Sequence, residues 1–297
     1  MPIGRERPIF KERFMQIETG TETVTAERTD GVGIITLNRP ERRNALHSEM
    51  FDAVPRALER FVGDPEVGCI MITGAGTAFC SGGDVGSGAS RRPDPPGADD
   101  GSVSRAKTVE DHGSMLAHDA RMVELLHGSP KVTLAALPGA AVGAGMSIAL
   151  AADLRIAAES AKLIPGWSRL AFSGDFGGTW FLTRLVGPAK ALEILVDDRI
   201  IDADEALSLG LFNRVVPEDE FRAAAMAWAV SIARGPRVAT RFIKANVQQA
   251  ERLTLSQSLP VESERMARSA LTDDHRQAVA RWFKMAEAKR SGSRLQG

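Results

Sequence analysis

Residues 138–154, PGAAVGAGMSIALAADL, are almost free of charge and rich in glycine and alanine. The apolar run before Pro138 is typical of a buried strand, and the run after the glycines is typical of a buried helix. The first backbone N–H groups of such a helix have no intrahelical partners, and the helix dipole adds about half a positive charge there. The stretch is therefore predicted to hold a negatively charged oxygen against backbone N–H groups.

Three other interpretations of this stretch are tested by its residues. A Walker phosphate loop needs Lys and then Ser or Thr after the glycines, but Gly145 is followed by Met146-Ser147. A dinucleotide-binding loop needs a third glycine where the chain has Ile148. A membrane span is disfavoured because Pro138 and the glycines and alanines around it divide the apolar run. What remains is a close approach of the backbone to an oxyanion.

A second N–H donor is expected, since an oxyanion site usually draws its donors from two segments. The candidate is TAFCSGGD, residues 77–84, which follows a continuously apolar run. Phe79 would pack inward, and the N–H of Cys80 would face the ligand as the chain turns through Gly82-Gly83. Taken alone, this segment is only a weak turn signal.

The elements that must position these two segments alternate between strands and helices. TVTAERTDGVGIITLNRP predicts two strands around Asp30-Gly31, SEMFDAVPRALERFVGD a helix that stops near Gly63, and VGCIMITGAG a buried strand. Residues 109–126 are helical in pattern, whereas VTLAAL and ADLRIAAES are strands. This alternation predicts an α/β fold with right-handed crossovers and a mostly parallel sheet. Beyond Pro188 helices dominate, apart from a short NRVV strand.

Three regions are predicted along the 297 residues. Residues 1–22 are interpreted as an N-terminal extension without a packing pattern. Residues 23–215 form the core, which carries a loop at about 85–104 rich in Gly, Pro, Ser and Asp. Residues 216–297 form a helical C-terminal region.

Composition excludes several classes of function. The net charge of −1 gives no basic field for nucleic acid or an anionic membrane. No metal site is predicted, because the histidines are scattered and form no cluster with cysteine. Cys69 and Cys80 lie in apolar sequence, as buried thiols of a reducing compartment do, and the N-terminus MPIGRERPIFKERF lacks the apolar core of a secretory signal. We therefore predict a cytoplasmic protein.

Several segments resemble, in order and spacing, the enoyl-CoA hydratase/isomerase (crotonase) superfamily. They are NRPERRNAL, AFCSGGD, PGAAVGAGMSIALAADLRIA, FGGTWFLTRLVGPAKALEILVDDRIIDADEALSLGLFNRVVP and the helical tail. The resemblance covers roughly residues 23–290. It implies a crotonase-like spiral of ββα units with a helical C-terminal region that builds trimers, usually a dimer of trimers. It also implies acyl-CoA thioesters as ligands, with coenzyme A as part of the substrate and no separate cofactor.

The resemblance places the two oxyanion donors on the backbone N–H groups of Cys80 and Ala144, with Gly143 in the substrate-binding turn. Negative charge develops on the thioester carbonyl oxygen during the reaction, and two fixed N–H groups stabilise it without reorganising. Removing one such donor typically costs about 3 to 4 kcal/mol. The side chains at 80 and 144 matter little, except that bulk at 144 would block the approach.

The chain departs from the resemblance at the two positions where the hydratases carry glutamate, which are Ser147 and Trp167. Neither side chain exchanges a proton at neutral pH as a carboxylate does, which calls two-acid addition of water into question. Asp175 is the acid nearby, eight residues after Trp167. The dienoyl-CoA isomerases of the superfamily carry an acid there. So do its 4-chlorobenzoyl-CoA dehalogenases, which also share the tryptophan.

Asp175 is predicted to lie among Phe172, Phe176 and Trp180, where desolvation would raise its pKa and make it a usable base. The alternative is that it caps the helix beginning near Gly177. One carboxylate can take a proton from one carbon and return it to another, which suits double-bond isomerisation better than hydration. It could also attack an aryl carbon, as in the dehalogenases.

The remaining candidate site residues are two histidines, the residues around the acyl group and the residues that would bind coenzyme A. The dehalogenase route also uses a histidine, and His112 and His118 lie on the matching helix, although a surface position is the alternative for both. Ser147 is expected to be a spectator or to orient a water, and Trp167 to close the acyl pocket. The resemblance implies that coenzyme A binds through Arg42, Arg43 and Ala45, with Lys284 as a weaker candidate. A solvated surface position is the alternative for each of the two arginines.

Two classes of function stay open at this point. The first is an enzyme that acts on an acyl-CoA thioester, with isomerase- or hydratase-type chemistry ahead of dehalogenase-type or hydrolytic use of Asp175. The second is a catalytically weakened protein that binds acyl-CoA after losing both glutamates. The acyl group itself is not specified by the sequence.

Overall fold

A computed structural model describes residues 14–84 and 108–293, with side chains described through residue 285. The predicted loop at about 85–104 lies outside the described residues. Contacts within the chain divide it into two units. One unit holds the chain up to Ser129 together with Thr133–Ala233, and the other holds Pro130–Val132 together with the chain from Arg234 onward.

The strands of the described chain form one large sheet and one small one. They are β1 (Met15–Ile17), β2 (Val24–Thr29), β3 (Val32–Leu37), β4 (Cys69–Gly74), β5 (Val132–Leu137), β6 (Ala141–Val142), β7 (Leu154–Ala158), β8 (Leu163–Ile164) and β9 (Arg214–Val216). The large sheet has the order β1-β2-β3-β4-β5-β7-β9, and β6 pairs with β8. β1 and β3 flank β2 antiparallel, whereas the pairs β3/β4, β5/β7 and β7/β9 are parallel. The predicted α/β fold with a mostly parallel sheet is confirmed.

Helices follow the strands, as the alternating pattern predicted. They are α1 (Ser48–Gly63), α2 (Val109–Asp119), α3 (Arg121–Gly128), α4 (Ala144–Ala151), α5 (Gly178–Val186), α6 (Pro188–Val196), α7 (Ala203–Ser208), α8 (Phe221–Ala233), α9 (Arg237–Ala250), α10 (Leu255–Ala270) and α11 (Asp273–Ser293). The predicted hairpin turn at Asp30-Gly31 is confirmed, with both residues at positive φ. The predicted end of α1 at Gly63 is confirmed as well.

The two faces of the sheet bury different sets of residues because side chains alternate along a strand. One face carries Ile35, Leu37, Ile70 and Ile72 into the main core. On that face Gly33 leaves room for the Phe61 ring of α1, whose nearest carbon would lie 2.5 Å from an added Cβ. The main core also receives α3, α4 and α5, and therefore lies on the side of the candidate site.

The opposite face of the sheet is covered by α8. Val32, Ile34, Cys69 and Met71 point to this face and pack with residues of α8 spaced four apart: Phe221, Ala225, Ala229 and Ala233. Alanine at three of these positions keeps the contact side of the helix small. The sequence grouped α8 with the C-terminal region beginning at residue 216, whereas these contacts group it with the sheet.

Part of the predicted N-terminal extension has a regular structure. β1 pairs with β2 along the edge of the sheet, with Met15 opposite Arg28 and Ile17 opposite Ala26. The hydroxyl of Thr19 is buried and donates to the carbonyl of Val24 at 2.6 Å. The expectation that this extension lacks a packing pattern is therefore wrong for Met15–Ile17, which form an edge strand too short to show alternation in the sequence.

The second unit is built from α9, α10 and α11. Within it the Lys244 ammonium donates to the carbonyl of Lys131 at 3.1 Å, and the Arg265 guanidinium bonds the side chain of Asn246. In the part of the chain that the structure describes, no helix combines the length and apolarity needed to cross a membrane.

Candidate active site

The loop after β4 carries the first predicted oxyanion donor and lies against the turn after β5. Cys80 bridges Ala141 in parallel register, and its carbonyl accepts from the N–H of Val142 at 2.9 Å. The N–H groups of Phe79 and Cys80 share one acceptor, the carbonyl of Ala140, at 3.0 and 3.3 Å. The Cys80 bond is the longer of the two and lies beyond the usual range, so this N–H can also serve a second acceptor.

The second predicted donor lies at the first turn of α4. Gly143 precedes the helix at φ +52° and ψ −122°, and Ala144 is its first residue. The Gly143 N–H donates to the carbonyl of Ile164 at 2.9 Å, which ties the turn to β8. At this helical position an N–H has no intrahelical partner, and in the described chain no backbone carbonyl outside the helix accepts from Ala144. The helix dipole adds to the positive potential at this N–H.

Close contact between the two segments depends on glycine. A Cβ added to Gly145 would lie 2.4 Å from the carbonyl oxygen of Cys80, and one added to Gly82 would lie 2.9 Å from that of Val142. Every residue of α4 is buried, so the helix is fixed on all sides by the core. The structure therefore brings Cys80 and Ala144 together at one place, as the sequence predicted for the two segments.

Asp175 is held by hydrogen bonds from the side chains of Trp167 and Ser147. The indole N–H of Trp167 donates to Oδ1 of Asp175 at 3.0 Å. The hydroxyl of Ser147, which is fully buried, donates to the backbone carbonyl of Asp175 at 3.1 Å and, more weakly, to that of Gly143 at 3.4 Å. Ser147 thus links the first turn of α4 directly to the segment that carries the acid.

Burial of the Asp175 carboxyl raises its pKa above the ordinary value, and the hydrogen bond from Trp167 opposes that rise without cancelling it. Gly178, the first residue of α5, makes the arrangement possible. A Cβ at Gly178 would lie 2.4 Å from the Trp167 ring and 2.5 Å from the Ser147 hydroxyl oxygen. The acid, the indole and the hydroxyl therefore meet only because α5 begins with glycine.

Two expectations about Asp175 are corrected. Its side chain does not cap α5, because the residue before that helix is Gly177 and no side chain caps it. Of the aromatic residues expected around it, only Phe176 is buried, and its ring lies 6.0 Å from that of Phe51 on α1. Phe172 is 54 % exposed, and Trp180 is 36 % exposed and stacks on the Arg184 guanidinium.

The thiol of Cys80 is separate from this chemistry. It is fully buried, and burial raises its pKa to about 12. A thiol that does not ionise near neutral pH is a poor nucleophile. The contribution expected of Cys80 is therefore that of its backbone N–H alone.

Over most of its length the chain is similar to proteins of one family. The family model described as enoyl-CoA hydratase/isomerase matches residues 27–289. The chain belongs to the enoyl-CoA hydratase/isomerase family. A crystal structure of an enoyl-CoA hydratase from Polaromonas sp. JS666 superposes with a TM-score of 0.79 at 29 % identity, covering 88 % of this chain and 97 % of that one. The predicted resemblance is confirmed at the level of family and fold.

Relatives of the chain within this family carry different names. "Probable enoyl-CoA hydratase" of Rhodobacter capsulatus is 38 % identical over 240 residues, which is 81 % of this chain and 85 % of that protein. "1,2-epoxyphenylacetyl-CoA isomerase" of Escherichia coli K12 is 33 % identical over 91 % of this chain and 97 % of that protein. "4-chlorobenzoyl coenzyme A dehalogenase-2" of an Arthrobacter species is 32 % identical, covering 78 % and 80 %. The family membership therefore does not select one reaction.

The residues expected to bind coenzyme A lie on two parts of this family member. Arg42 and Arg43 are exposed, Ala45 is buried, and all three lie in the segment next to the Cys80 loop. The carbonyls of Arg42 and Arg43 accept hydrogen bonds from the side chain and the backbone of Ser81 at 3.2 and 3.0 Å. Lys284 is exposed on α11, in the second unit.

The two histidines considered for a dehalogenase route lie on α2. His112 is half-buried, whereas His118 is exposed and has its Nε2 3.6 Å from Oδ1 of Asp52. Over residues 14–84 and 108–285, neither ring is hydrogen-bonded to Asp175. The alternative that these histidines are surface residues is supported for His118.

Three residues beside the site were missed by the sequence reasoning. Arg39 and Asp84 form an ion pair at 3.1 Å, with side chains 15 % and 11 % exposed, and Asn44 is completely buried between them and the Cys80 loop. All three lie within the quoted segments NRPERRNAL and AFCSGGD. The available signal was a polar side chain in apolar surroundings at Asn44, which needs an explanation in terms of hydrogen bonds.

Proposed function

We propose that the chain transforms an acyl-CoA thioester whose carbonyl oxygen is held by the backbone N–H groups of Cys80 and Ala144. Asp175 then serves as the acid and base that moves a proton on the acyl group. The hydrogen bonds from Trp167 and Ser147 to Asp175 are the observation that carries this proposal. The two positions at which the family resemblance expects glutamates thus hold Asp175, Trp167 through its carboxylate and Ser147 through its backbone carbonyl.

Isomerisation is the reaction that one such carboxylate supports best. The oxyanion site stabilises the enolate that forms when a proton leaves the carbon next to the thioester, and the same carboxyl group can return that proton to another carbon. A raised pKa brings the acid and base forms of Asp175 closer in energy, as both half-reactions require. The relative named as an isomerase supports this direction.

A second candidate reaction is favoured by the indole bond itself. In this route the Asp175 carboxylate attacks an aryl carbon of an aroyl-CoA, a halide leaves, and water hydrolyses the aryl ester. The Trp167 N–H at 3.0 Å would aim the attacking carboxylate, and the relative named as a 4-chlorobenzoyl-CoA dehalogenase shares this proposal's substrate class. Against it, neither His112 nor His118 is hydrogen-bonded to Asp175 over residues 14–84 and 108–285, and the Nε2 of His118 lies near Asp52 instead.

The proposal is tested with Asp175→Asn and a panel of unsaturated and 4-halogenated aromatic acyl-CoA esters. Wild type in D₂O is expected to incorporate deuterium into an unsaturated acyl chain and to move its double bond, and Asp175→Asn to bind the same ester with no exchange. Asp219→Asn, at an exposed carboxylate before α8, is the control and should keep full activity. Halide release from the aromatic esters would favour the second candidate. Tight binding without turnover of any ester would overturn both and leave an acyl-CoA-binding protein.

Further features of the proposal concern binding and assembly. Arg42 and Arg43 would contact the coenzyme A phosphates, with Ala45 in the adjoining segment and Lys284 as a weaker contribution. Coenzyme A is part of the substrate, so the proposed reaction needs no separate cofactor. The buried free thiols Cys69 and Cys80 are compatible with the proposed cytoplasmic location.

A trimer, or a dimer of trimers, is the proposed assembly. Its support is the large apolar side chains that the second unit exposes on α9 to α11 and their connections: Ile243, Val247, Leu255, Leu259, Met266, Leu271, Trp282, Phe283 and Met285. Apolar surface on this scale is typical of a protein interface. Light scattering coupled to size exclusion should give three or six times the 31.9 kDa chain mass, and a monomer would contradict the proposal.

A further inference from the structure

Asn44 is a buried polar residue whose side chain bonds only to the backbone of the loops around the proposed oxyanion site. Its exposed fraction is zero, and both the oxygen and the nitrogen of its carboxamide are hydrogen-bonded. The Nδ2 group donates to the carbonyls of Ala75 and Ala78 at 2.9 and 2.8 Å, and Oδ1 accepts from the N–H of Arg39 at 2.9 Å. One side chain thus ties the segment after β3 to the loop after β4.

The bonds of Asn44 end immediately before the predicted oxyanion donor. Ala78 precedes Phe79 and Cys80, whose N–H groups point to the carbonyl of Ala140 on the opposite side of the loop. The loop is therefore held from two sides, by the carboxamide at Ala75 and Ala78 and by the turn after β5. Moving the Ala78 carbonyl would rotate the peptide groups that follow it and re-aim the Cys80 N–H.

The chain accommodates this side chain at a cost in backbone freedom. Arg43 and Asn44 both adopt positive φ, at 50° and 57°, a conformation in which asparagine is better tolerated than most residues. A Cβ at Gly74 would lie 2.7 Å from Nδ2 of Asn44 and 2.2 Å from the Ala78 carbonyl oxygen, so glycine is needed there to seat the carboxamide. Two consecutive residues in the left-handed conformation and one glycine that cannot carry a Cβ are therefore needed to form the two hydrogen bonds from Nδ2 of Asn44.

We propose that Asn44 is a positioning residue that sets the direction of the Cys80 N–H toward the thioester oxygen. This inference rests on the proposed oxyanion function and assigns to it a residue that never touches the substrate. The ion pair between Arg39 and Asp84 supports the same loop farther along, where Arg39 also donates to the Ala45 carbonyl at 2.7 Å. Asn44 differs from that pair because one of its two donor bonds reaches the carbonyl of Ala78, two residues before Cys80.

The test uses Asn44→Gly, which removes the carboxamide while keeping a residue suited to positive φ. We measure the carbonyl stretch of an acyl-CoA labelled with ¹³C at the thioester carbon, bound to Asp175→Asn so that no turnover occurs. Hydrogen bonds from two N–H groups lower that frequency relative to the free ester. Adding Asn44→Gly should return the frequency part of the way toward the free value, and in otherwise wild-type protein should lower kcat at least about tenfold with little change in KM.

Thr133→Val is the matched control for a loss of stability alone. Thr133 is fully buried and exchanges hydrogen bonds with Asp153 at the start of β5, at the end of that strand away from the turn. It should lower the melting temperature while leaving the carbonyl frequency and kcat unchanged. Should Asn44→Gly not fold, Asn44→Ser serves instead, because a single hydroxyl donor cannot replace both bonds of the Nδ2 group and no charge is buried.

The outcomes separate this inference from the proposed function. A lowered carbonyl frequency in Asp175→Asn that persists when Asn44 is replaced overturns the positioning role and leaves the oxyanion site standing. No lowering of the frequency in Asp175→Asn itself overturns both. A partial return of the frequency with Asn44→Gly, absent in Thr133→Val, supports the inference.

Discussion

The region around Cys80 and Ala144 presents backbone amides, whereas the region from Trp167 to Gly178 presents side chains. The first is fixed by a fully buried helix, a parallel bridge and glycines that cannot carry a Cβ. The second is fixed by two side-chain hydrogen bonds onto one residue, from Trp167 to the Asp175 carboxyl group and from Ser147 to the Asp175 backbone carbonyl. The comparison teaches that backbone packing fixes the first region, whereas side-chain hydrogen bonds fix the second. We expect the first region to govern whether any reaction occurs and the second to govern which one.

The largest effect is expected from Gly145→Ala in the amide region. The new Cβ would meet the Cys80 carbonyl oxygen at 2.4 Å and carbon at 3.0 Å, so one of the two backbone segments must shift. Activity should fall at least about a hundredfold, as when an oxyanion donor is lost, with a loss of stability of a few kcal/mol. Steady-state kinetics and denaturant unfolding measure both effects.

The matched control for that variant is Gly113→Ala on α2, where no described atom beyond its chain neighbours and its own helix backbone lies within 4 Å of the new Cβ. Alanine is the better helix former, so stability should stay the same or rise by up to about 1 kcal/mol. Equal activity losses at Gly113 and Gly145 would show that the close contact with Cys80 has no special importance.

A smaller effect is expected from Trp167→Phe in the side-chain region. Because the indole bond lowers the pKa of Asp175 and burial raises it, losing the bond leaves the rise unopposed. A base must be deprotonated to act, so the acidic limb of the pH profile should move to higher pH. Activity below that limb should drop about tenfold, the size of a hydrogen bond to a charged group. A profile that keeps its position would show that the indole does not act on the carboxylate.

Stability offers an independent measure of the same carboxyl group. A carboxyl whose pKa is raised by folding favours the folded state fully below its unfolded pKa, and that contribution is lost as the pH rises through the folded pKa. Asp175→Asn should therefore be more stable than wild type at pH 7, and the difference should shrink as the solution is acidified. Melting temperatures across pH 4 to 8 provide the measurement. A less stable variant at neutral pH would contradict the burial argument.

The smallest effect is expected from Cys80→Ala. The substitution keeps the backbone N–H and removes a thiol whose pKa is raised to about 12. Activity should stay within about twofold of wild type, and stability should fall by about 1 kcal/mol because the packed sulfur is lost. Inactivation by Cys80→Ala would contradict the claim that Cys80 acts through its backbone N–H alone.

Local sequence patterns predicted the elements that carry the site because each depends on neighbouring residues. Asp30-Gly31 closes a hairpin, Gly63 ends α1, and the glycines before α4 form the turn at Gly143. These features follow from backbone preferences within a few positions. The meeting of Cys80 with Ala144 was predicted only with the help of the family resemblance.

Side-chain geometry around Asp175 was predicted less well. The segment from Trp167 to Asp175 passes through positive φ at Ala171 and Gly174, and no local pattern indicates where such a path leads. The rings of Phe172 and Trp180 were therefore expected near the acid and lie exposed instead. The bonds of Ser147 and Asn44 reach distant peptide groups, which a one-dimensional pattern does not record.

The most direct measurement is a crystal structure of Asp175→Asn with an acyl-CoA thioester bound. The account predicts one thioester oxygen within about 3 Å of both the Cys80 and the Ala144 nitrogen, with the side chain of residue 175 against the acyl carbons. A thioester oxygen bonded to neither nitrogen, or to one while the other points elsewhere, would contradict it.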